Sequence, residues 1–399
     1  MEDKPAILGG SPVRQELLPY GKQWIEEDEI EEVTAVLKSD FITQGSRISE
    51  FERRFADYVG SRYAVAIANG TAALHAAVFA AGISRGDEVI TSPITFAASA
   101  NCILYQGGIP VFADILEDTY NIDPVEIKKK ITPLTKAVIP VHFTGQPVDL
   151  DEVHRIARKY NLIVIEDAAH ALGAKYRGQR IGGLSDMAIF SFHPVKHITT
   201  GEGGIVTTNN REFYEKLILF RNHGITRDRD KLTRDEGPWY YEMEALGYNY
   251  RLTDLQAAMG IKQLAKSEKF INLRRKYVQI YNEVFKDIEE VIIPYEKPGC
   301  DSSWHIYVIQ LRTEMISVGR KEIFAALRAE NIGVNVHYLP VYLHPYYREL
   351  GYPQGLCPKA ERLYERIITL PLFSKMTGQD VADVISAVKK VIGYYRINR

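Results

Sequence analysis

Lys196 stands in a segment whose composition suits amine chemistry. The segment spans residues 191–204 and lies between two apolar, β-like runs, 187–190 and 204–208. It is rich in small, hydroxyl-bearing and glycine residues, which favour a tight polar pocket that accepts an anion. A lysine that is desolvated or close to other cations has a lowered pKa, and its amine can then form Schiff bases. Taken alone, the segment is more typical of a surface lysine in a β-turn, so the surrounding elements must decide.

A second feature is a candidate phosphate site near residue 70. The buried strand predicted over 64–68 leads through Asn69-Gly70-Thr71 into a helix predicted over 72–81. Free N–H groups and the helix dipole both favour an anion at such a helix start. A plain strand-to-helix connection has the same pattern, so this feature is modest by itself.

A third feature is an acidic residue at the end of an apolar strand. The run 162–167 is continuously apolar until Glu166 and Asp167, as expected of a parallel strand covered on both faces, and His170 follows closely. Strands and helices alternate from about 60 to 210, which predicts an α/β domain with a mostly parallel sheet. In such sheets ligands bind at the carboxyl ends of the strands. We expect five residues to gather at that edge: Thr71, Phe96, Asp167, His170 and Lys196.

These are the parts that a pyridoxal phosphate site requires. An aspartate keeps the pyridine nitrogen protonated, a lysine forms the Schiff base, helix N–H groups and hydroxyls bind the phosphate, and an aromatic ring stacks on the cofactor. Spacing alone leaves open whether the four features converge.

The other predicted elements extend the α/β pattern. A helix over 26–38 is expected to place Ile30, Val33, Val36 and Leu37 on one face, and Ser49 is expected to cap the next helix. The last part of the chain is predicted to hold strands at 306–311 and 334–337 and helices at 320–330, 359–368 and 379–392. We therefore predict an arm at 1–20, a large domain at 21–265 and a smaller α/β domain at 266–399.

Composition limits the function classes. The chain has 399 residues, 46% apolar and 25% charged, with a formal net charge of -2, which does not point to nucleic acid or a membrane surface as a partner. The cysteines Cys102, Cys300 and Cys357 are scattered, which indicates a reducing compartment and argues against structural zinc. The charged N-terminus lacks a signal core, and no apolar run approaches the length of a membrane span. A cytoplasmic enzyme without a metal is expected.

Six ordered stretches match a known enzyme family: 69–74, 95–96, 166–171, 191–196, 199–204 and 247–251. Through them essentially the whole chain resembles the sugar aminotransferases of the DegT/DnrJ/EryC1/StrS group. The resemblance implies the aspartate aminotransferase-like fold (type I) and pyridoxal 5'-phosphate as cofactor. Some relatives carry His where Lys196 stands and act as dehydratases, so the lysine favours transamination.

The resemblance also implies residue roles. Lys196 is similar to the Schiff-base lysine, Asp167 to the partner of the pyridine nitrogen, His170 to the contact of the phenolic oxygen, and Phe96 to the stacking ring. Asn249 is similar to a phosphate contact supplied by the neighbouring subunit, which implies a homodimer. The other phosphate contacts implied are Gly70, Thr71, Ala72 and Ser191. Plainer interpretations stay open: Phe96 in the core, or Asn249 as a turn residue.

Within the family, the stretches 41–45, 92–101, 191–204 and 336–342 resemble the 4-aminotransferases of pseudaminic acid biosynthesis. This implies a UDP-linked 4-keto-6-deoxy-N-acetylhexosamine as substrate and L-glutamate as amino donor. The residues implied to line the nucleotide-sugar site are Tyr20, Thr43, Gln44, His337 and Tyr338. Another UDP- or dTDP-keto-sugar aminotransferase is the main alternative. A non-catalytic regulator is disfavoured because the sequence has no basic helix-turn-helix segment.

Overall fold

The computed structural model describes residues 4–234 and 236–397. Residues 1–3 of the predicted arm, residue 235 of the charged loop at 227–236, and residues 398–399 lie outside the described residues. The helices are α1 Glu27–Leu37, α2 Ser46–Val59, α3 Gly70–Ala80, α4 Ala98–Tyr105, α5 Pro124–Lys130, α6 Leu150–Tyr160, α7 Arg211–Arg221, α8 Asp254–Ala265, α9 Ser267–Phe285, α10 Arg320–Ala329, α11 Pro345–Glu349, α12 Pro358–Arg366 and α13 Gly378–Tyr395. The strands are β1 Tyr63–Ile67, β2 Glu88–Thr91, β3 Ile109–Phe112, β4 Thr135–Ile139, β5 Ile163–Asp167, β6 Lys175–Tyr176, β7 Gln179–Arg180, β8 Met187–Ser191, β9 Gly204–Thr208, β10 Ile225–Thr226, β11 Glu242–Met243, β12 Val291–Ile292, β13 Cys300–Asp301, β14 Tyr307–Leu311 and β15 Ile367–Leu370.

The central sheet has seven strands in the order β1-β9-β8-β5-β4-β2-β3. Neighbours from β8 to β3 pair in parallel, and β9 is antiparallel to both β8 and β1. Phe190 of β8 packs into the core with Phe51 and Phe55 of α2, whereas the adjacent Ile189 joins the core on the other face, beneath α3 and α7. Because successive side chains of a strand point to opposite faces, helices cover both sides of the sheet. The structure confirms the predicted α/β class with a mostly parallel sheet.

A second, three-stranded sheet, β12-β14-β15, lies in the C-terminal part and packs with residues of α9, α10 and α13. The N-terminal segment also packs there: Leu18 is buried, its N–H donates to the Asn331 carbonyl at 2.9 Å, and its carbonyl accepts from Gly333 N–H at 2.7 Å. The helical pattern breaks between Ala265 and Ser267, where α8 gives way to α9. The division of the chain at residues 20 and 265 stays a prediction. None of the described helices is long and apolar enough to cross a membrane.

The prediction that Ser49 caps the second helix is wrong. Helix α2 begins at Ser46, and the hydroxyl of Ser49 donates to the Ser46 carbonyl inside the first turn. Asp254 takes the capping role from a distant part of the chain, because its carboxylate accepts from Gly45 N–H at 2.7 Å and from Arg47 N–H at 2.9 Å. The negative charge at this helix start also complements the helix dipole.

The predicted face of the first helix is also only partly correct. Val36 is buried, but Ile30 and Leu37 are 51% and 60% exposed. Helix α1 instead turns Glu29 inward, where the carboxylate binds Lys266 and the side-chain amide of Gln263. A buried ion pair therefore replaces part of the expected apolar contact.

Two predictions in the C-terminal part are corrected by sheet pairing. Residues 334–337 form no strand: only Asn335 makes a bridge, to Thr369. The predicted helix over 359–368 ends at Arg366, and Ile367–Leu370 form β15. Because β15 pairs directly with β14, the position beside β14 is taken by β15 and not by the predicted strand 334–337.

Candidate active site

The candidate residues lie at one edge of the central sheet. Strands β2, β5 and β8 run in parallel, and β1 has the same direction because β9 is antiparallel to both β1 and β8. Asp167 is the last residue of β5, and Gly70, Phe96 and Lys196 follow β1, β2 and β8 within a few residues. The sheet therefore brings together residues that the sequence spreads over more than a hundred positions, at the edge where parallel sheets bind ligands.

Lys196 follows β8 in a turn closed by its own N–H, which donates to the His193 carbonyl at 2.9 Å. Its Nζ lies 3.4 Å from Nε2 of His305. The residue as a whole is half-buried, but its amine lies among buried side chains, and this burial lowers the pKa of Lys196 to about 8. The charge of Asp167 opposes the shift, and the charge of Arg274 adds to it. At pH 7 about a tenth of this amine is free, far more than for an ordinary lysine with a pKa of about 10.4, and the free amine is the form that a nucleophile requires.

Asp167 ends β5 and is buried. One carboxylate oxygen accepts from the Ser99 hydroxyl at 2.6 Å, and the other accepts from Ala169 N–H at 3.1 Å. The Ser99 hydroxyl also lies 2.7 Å from the Thr95 hydroxyl. These bonds fix the direction of the carboxylate toward the end of the sheet.

A chain of ring contacts leads from Lys196 through His305 and His170 to Tyr338. Nε2 of His170 lies 3.2 Å from the Tyr338 hydroxyl, and the ring centroids of His170 and His305 are 4.3 Å apart. Burial and the nearby charge of Lys196 hold the pKa of both histidines well below the usual value, so both imidazoles are neutral. Nδ1 of His170 and Nδ1 of His305 are buried and have no hydrogen-bond partner among the described residues. A bound ligand can satisfy such atoms.

The start of α3 lies against the ends of β8 and β9. A Cβ on Gly70 would lie 2.9 Å from Cβ of Ser191, so glycine permits this close approach. The side chain of Asn69 caps the helix by accepting from Ala72 N–H at 2.8 Å. Since the first N–H groups of a helix have no partner inside it, those of Gly70 and Thr71 remain for an anion. The N–H of Ala72 is already used by the cap.

This set of residues fits pyridoxal 5'-phosphate. It combines an amine of lowered pKa, a buried carboxylate, a helix start held close to Ser191, and a buried ring nitrogen of His170 that lacks a partner. Each corresponds to one chemical requirement of the cofactor.

Several predicted substrate residues converge on the same place. The rings of Tyr20 and His337 are 5.4 Å apart, and those of His337 and Tyr338 are 4.8 Å apart. The ring of Phe96 is 62% exposed and its centroid lies 6.2 Å from that of Tyr338. Because Tyr338 also contacts His170, these four residues form a continuous wall of rings that reaches the histidine pair at Lys196.

Thr43, Gln44 and Asn249 lie elsewhere on the described chain. All three are exposed, and Gln44 lines a separate cavity of about 270 Å³ together with Arg221 and Arg251. Asn249 forms a bridge to Asn222, which lines the same cavity. No contact among the described residues joins these three to Lys196.

The site also contains residues that the sequence did not reveal. Ser99 holds Asp167, and His305 contacts Lys196 directly. Arg274 donates to the His305 carbonyl at 2.9 Å from within α9. The sequence could not identify Arg274, because nothing in the pattern of α9 shows that this arginine is fully buried.

A family model described as the DegT/DnrJ/EryC1/StrS aminotransferase family matches residues 23–389. The chain belongs to this family. SpsC of Bacillus subtilis, a spore coat polysaccharide biosynthesis protein, is 42% identical over 95% of this chain and 98% of its own length. Two solved structures are similar as well. PseC of Helicobacter pylori, an aminotransferase involved in the biosynthesis of pseudoaminic acid, is 31% identical over 96% of this chain and 100% of its own, with a TM-score of 0.88. The PLP form of the putative sugar aminotransferase Spr1654 of Streptococcus pneumoniae is 30% identical, with the same coverage and TM-score.

As a member of the DegT/DnrJ/EryC1/StrS family, the chain is a sugar aminotransferase that uses pyridoxal 5'-phosphate. The predicted family, aminotransferase fold and cofactor are confirmed. The family implies a nucleotide-sugar substrate and an amino donor.

Proposed function

We propose that the chain transfers the amino group of L-glutamate to C4 of a UDP-linked 4-keto-6-deoxy-N-acetylhexosamine, UDP-2-acetamido-2,6-dideoxy-β-L-arabino-hexos-4-ulose, as in pseudaminic acid biosynthesis. The observation that carries the transamination is the Lys196 amine, which has a pKa of about 8 and contacts His305, the neighbour of His170. The likeness to PseC over 96% of the chain supports the choice of sugar.

Pyridoxal 5'-phosphate, when bound, supplies the electron sink for the reaction. In the proposal Lys196 would hold the cofactor through its amine, Asp167 would stabilise the charge of the pyridine nitrogen, His170 would contact the phenolic oxygen, and Phe96 would cover the ring. The phosphate would be held at the start of α3 by the N–H groups of Gly70 and Thr71, with Ser191 opposite. Ala72, the third phosphate contact that the resemblance implied, lies in the same turn, but its N–H is used by the Asn69 cap.

Lys196 then serves as base and acid. Once free, its Nζ would accept the proton that leaves the α-carbon of glutamate and carry it to the cofactor side of the site. In the second half, the same nitrogen moves a proton in the reverse direction after the keto sugar has replaced 2-oxoglutarate. An amine with a pKa near 8 suits both roles because neither protonation state is strongly disfavoured near neutral pH. The contact with His305 holds Nζ in place between the two transfers.

The sugar nucleotide is proposed to lie along Tyr20, His337 and Tyr338. Thr43 and Gln44 belong to the same proposed site, and Asn249 to the phosphate site. Because these three are exposed and apart from Lys196, we propose that they serve the site of a second copy in a homodimer. A cytoplasmic location and the domain division at residues 20 and 265 are part of the same proposal.

The substrate is tested by steady-state assays of the purified enzyme with L-glutamate and a panel of UDP- and dTDP-4-keto sugars. The proposal expects the highest kcat/KM with the UDP-linked N-acetylated 4-keto sugar and release of 2-oxoglutarate in equal amount. Activity confined to dTDP sugars would refute the substrate while leaving the transamination intact.

The second candidate is another keto-sugar aminotransferase of this family, acting at C3 or C4 of a different nucleotide sugar. SpsC favours it, because its name refers to spore coat polysaccharide and its identity to this chain, 42%, exceeds the 31% of PseC. Product analysis by NMR separates the two candidates, since it shows which carbon bears the new amine.

A further inference from the structure

Arg274 of α9 is a buried cation without an acidic partner. Its side chain is among the largest fully buried ones, at 1% exposure. Burial lowers its pKa to about 10, and no neighbouring carboxylate acts to raise it within the part of the chain that the structure describes. The guanidinium therefore stays charged near neutral pH, and an isolated buried charge is costly unless it is paired.

The hydrogen bonds of Arg274 compensate only part of this charge. One terminal nitrogen donates to the carbonyls of His305 at 2.9 Å and Leu372 at 2.8 Å, and more weakly to that of Trp304 at 3.4 Å. The Nε–H is buried and finds no acceptor among residues 4–234 and 236–397. A buried donor without an acceptor favours the binding of an acceptor from outside the protein.

A small cavity lies at Arg274, with a volume of about 10 Å³. A volume of about 10–15 Å³ holds one water-sized centre. Lys22, Lys196, His197 and Thr199 line it with Arg274, and none of the cavity-lining side chains is acidic. The cavity is therefore sized for one atom or one small group and is bordered by cations.

The polar neighbours of the cavity are already engaged elsewhere. The Thr199 hydroxyl donates to the Phe192 carbonyl at 2.9 Å, and the amide nitrogen of Gln263 donates to the Trp24 carbonyl and to Glu29. Among the described lining residues, the buried polar atom left without a partner is Nε of Arg274, which is a cationic donor. An anion therefore matches it better than a neutral acceptor does.

We propose that this cavity is a binding site for one small anion, either a free halide ion or a single carboxylate group of the amino donor that enters from the cleft. The anion accepts from Nε of Arg274 and neutralises the cation behind Lys196. The carboxylate source rests on the proposed function, whereas the halide source does not, and the experiments below separate them.

The direct experiment is diffraction from crystals of the wild-type protein grown in sodium bromide. We expect an anomalous peak within hydrogen-bond distance of Arg274 Nε, at bromide concentrations of tens of millimolar. A cavity that holds only water, or a peak seen only at molar bromide, would overturn the halide source.

Thermal unfolding of the cofactor-free protein tests the halide source without any catalysis. At constant ionic strength, replacing gluconate by chloride should raise Tm by about 2 °C in the wild-type protein. Arg274→Met should lose this rise. Arg275→Met is the matched control: Arg275 is the next residue of α9, donates to the Ser302 carbonyl, and does not line the cavity, so the rise should remain. An equal rise in all three proteins would count against the site.

Kinetics identify the donor carboxylate. If the carboxylate of glutamate uses the cavity, Arg274→Met raises KM for glutamate by at least about tenfold, and chloride competes with glutamate in the wild-type enzyme. If a free halide uses it, chloride does not compete, and the bromide peak persists in the presence of glutamate. If Arg274→Met does not fold, the bromide crystals and chloride competition decide with the wild-type protein alone. No bromide peak together with no competition by chloride refutes the proposal and leaves the proposed transamination untouched.

Discussion

Two lysines of this chain show how surroundings decide the chemistry of one side chain. Lys196 lies near His305 and Arg274, and burial lowers its pKa to about 8. Lys266 lies between α8 and α9 and forms ion pairs with Glu26, Asp28 and Glu29. Its hydrogen bonds to these acids raise its pKa above the ordinary value against the effect of burial. The Lys196 amine is prepared to react. Lys266 stays charged, and its ion pairs hold the start of α1 against the junction of α8 and α9.

The largest expected difference is in activity. Lys196→Met should lower kcat by at least about 10³-fold, because the nucleophile and the proton carrier are one residue. Lys266→Met should stay within about threefold of the wild type, because no recorded contact joins its three acidic partners to Lys196 among the described residues. Steady-state assays and the visible absorbance of the reconstituted proteins check both. A Lys196→Met enzyme that keeps both its absorbance and its activity would break the comparison.

His305 supplies the next effect. Its Nε2 lies 3.4 Å from Nζ of Lys196, and its backbone is held on both sides by Thr144 and Arg274. His305→Phe should lower kcat about 10–100-fold through lost positioning of the amine, while KM for glutamate changes less than about twofold. His305→Gln, which keeps a polar group near the amine, should recover part of the loss. Equal kcat in the wild-type and Phe enzymes would show that the contact is incidental.

The two lysines should also affect stability with opposite signs. At pH 7 the folded cofactor-free protein holds a desolvated charge at Lys196, so Lys196→Met should raise the free energy of unfolding by about 2 kcal/mol. Lys266→Met should lower it by about 2 kcal/mol, because Glu29 is left buried without its partner. Urea unfolding of both variants and the wild type provides the measurement.

The pH dependence follows from the same shifts. The unfolded chain binds a proton at Lys196 up to about pH 10.4, whereas the folded chain loses it near 8, so wild-type stability gains from this residue as pH rises between the two. Lys266 acts in the other direction: its contribution is complete below about pH 10.4 and is lost above it. Finding the same sign for both variants at pH 7 would contradict this difference.

The sequence predicted the central sheet well for a physical reason. Continuously apolar strands such as β5 and alanine-rich helices such as α3 have patterns that depend on local burial. Asp167, which ends β5, and the loop after β8 that carries Lys196 lie at one edge, because every parallel strand delivers its loop to the same edge; their roles stay predictions.

What failed depended on distant partners. The cap of α2 comes from Asp254, 209 positions beyond Gly45, so no local pattern contains it. The segment 334–337 alternates like a strand, yet β15 takes the pairing position next to β14. His305 has no motif of its own, and only the turn before β14 brings it to Lys196. The resemblance correctly indicated the family, while the roles of Thr43, Gln44 and Asn249 stay predictions that need a second copy of the chain.

The most direct test is to titrate both amines in one sample of the cofactor-free protein. Reductive methylation with formaldehyde over pH 6–11, followed by mass spectrometry of the peptides, gives the reactivity of Lys196 and Lys266 side by side. The account predicts a midpoint near pH 8 for Lys196 and a midpoint above the ordinary lysine value for Lys266. A Lys196 midpoint at or above about 10.4, the ordinary value for lysine, would contradict the claim that this site prepares Lys196 to react.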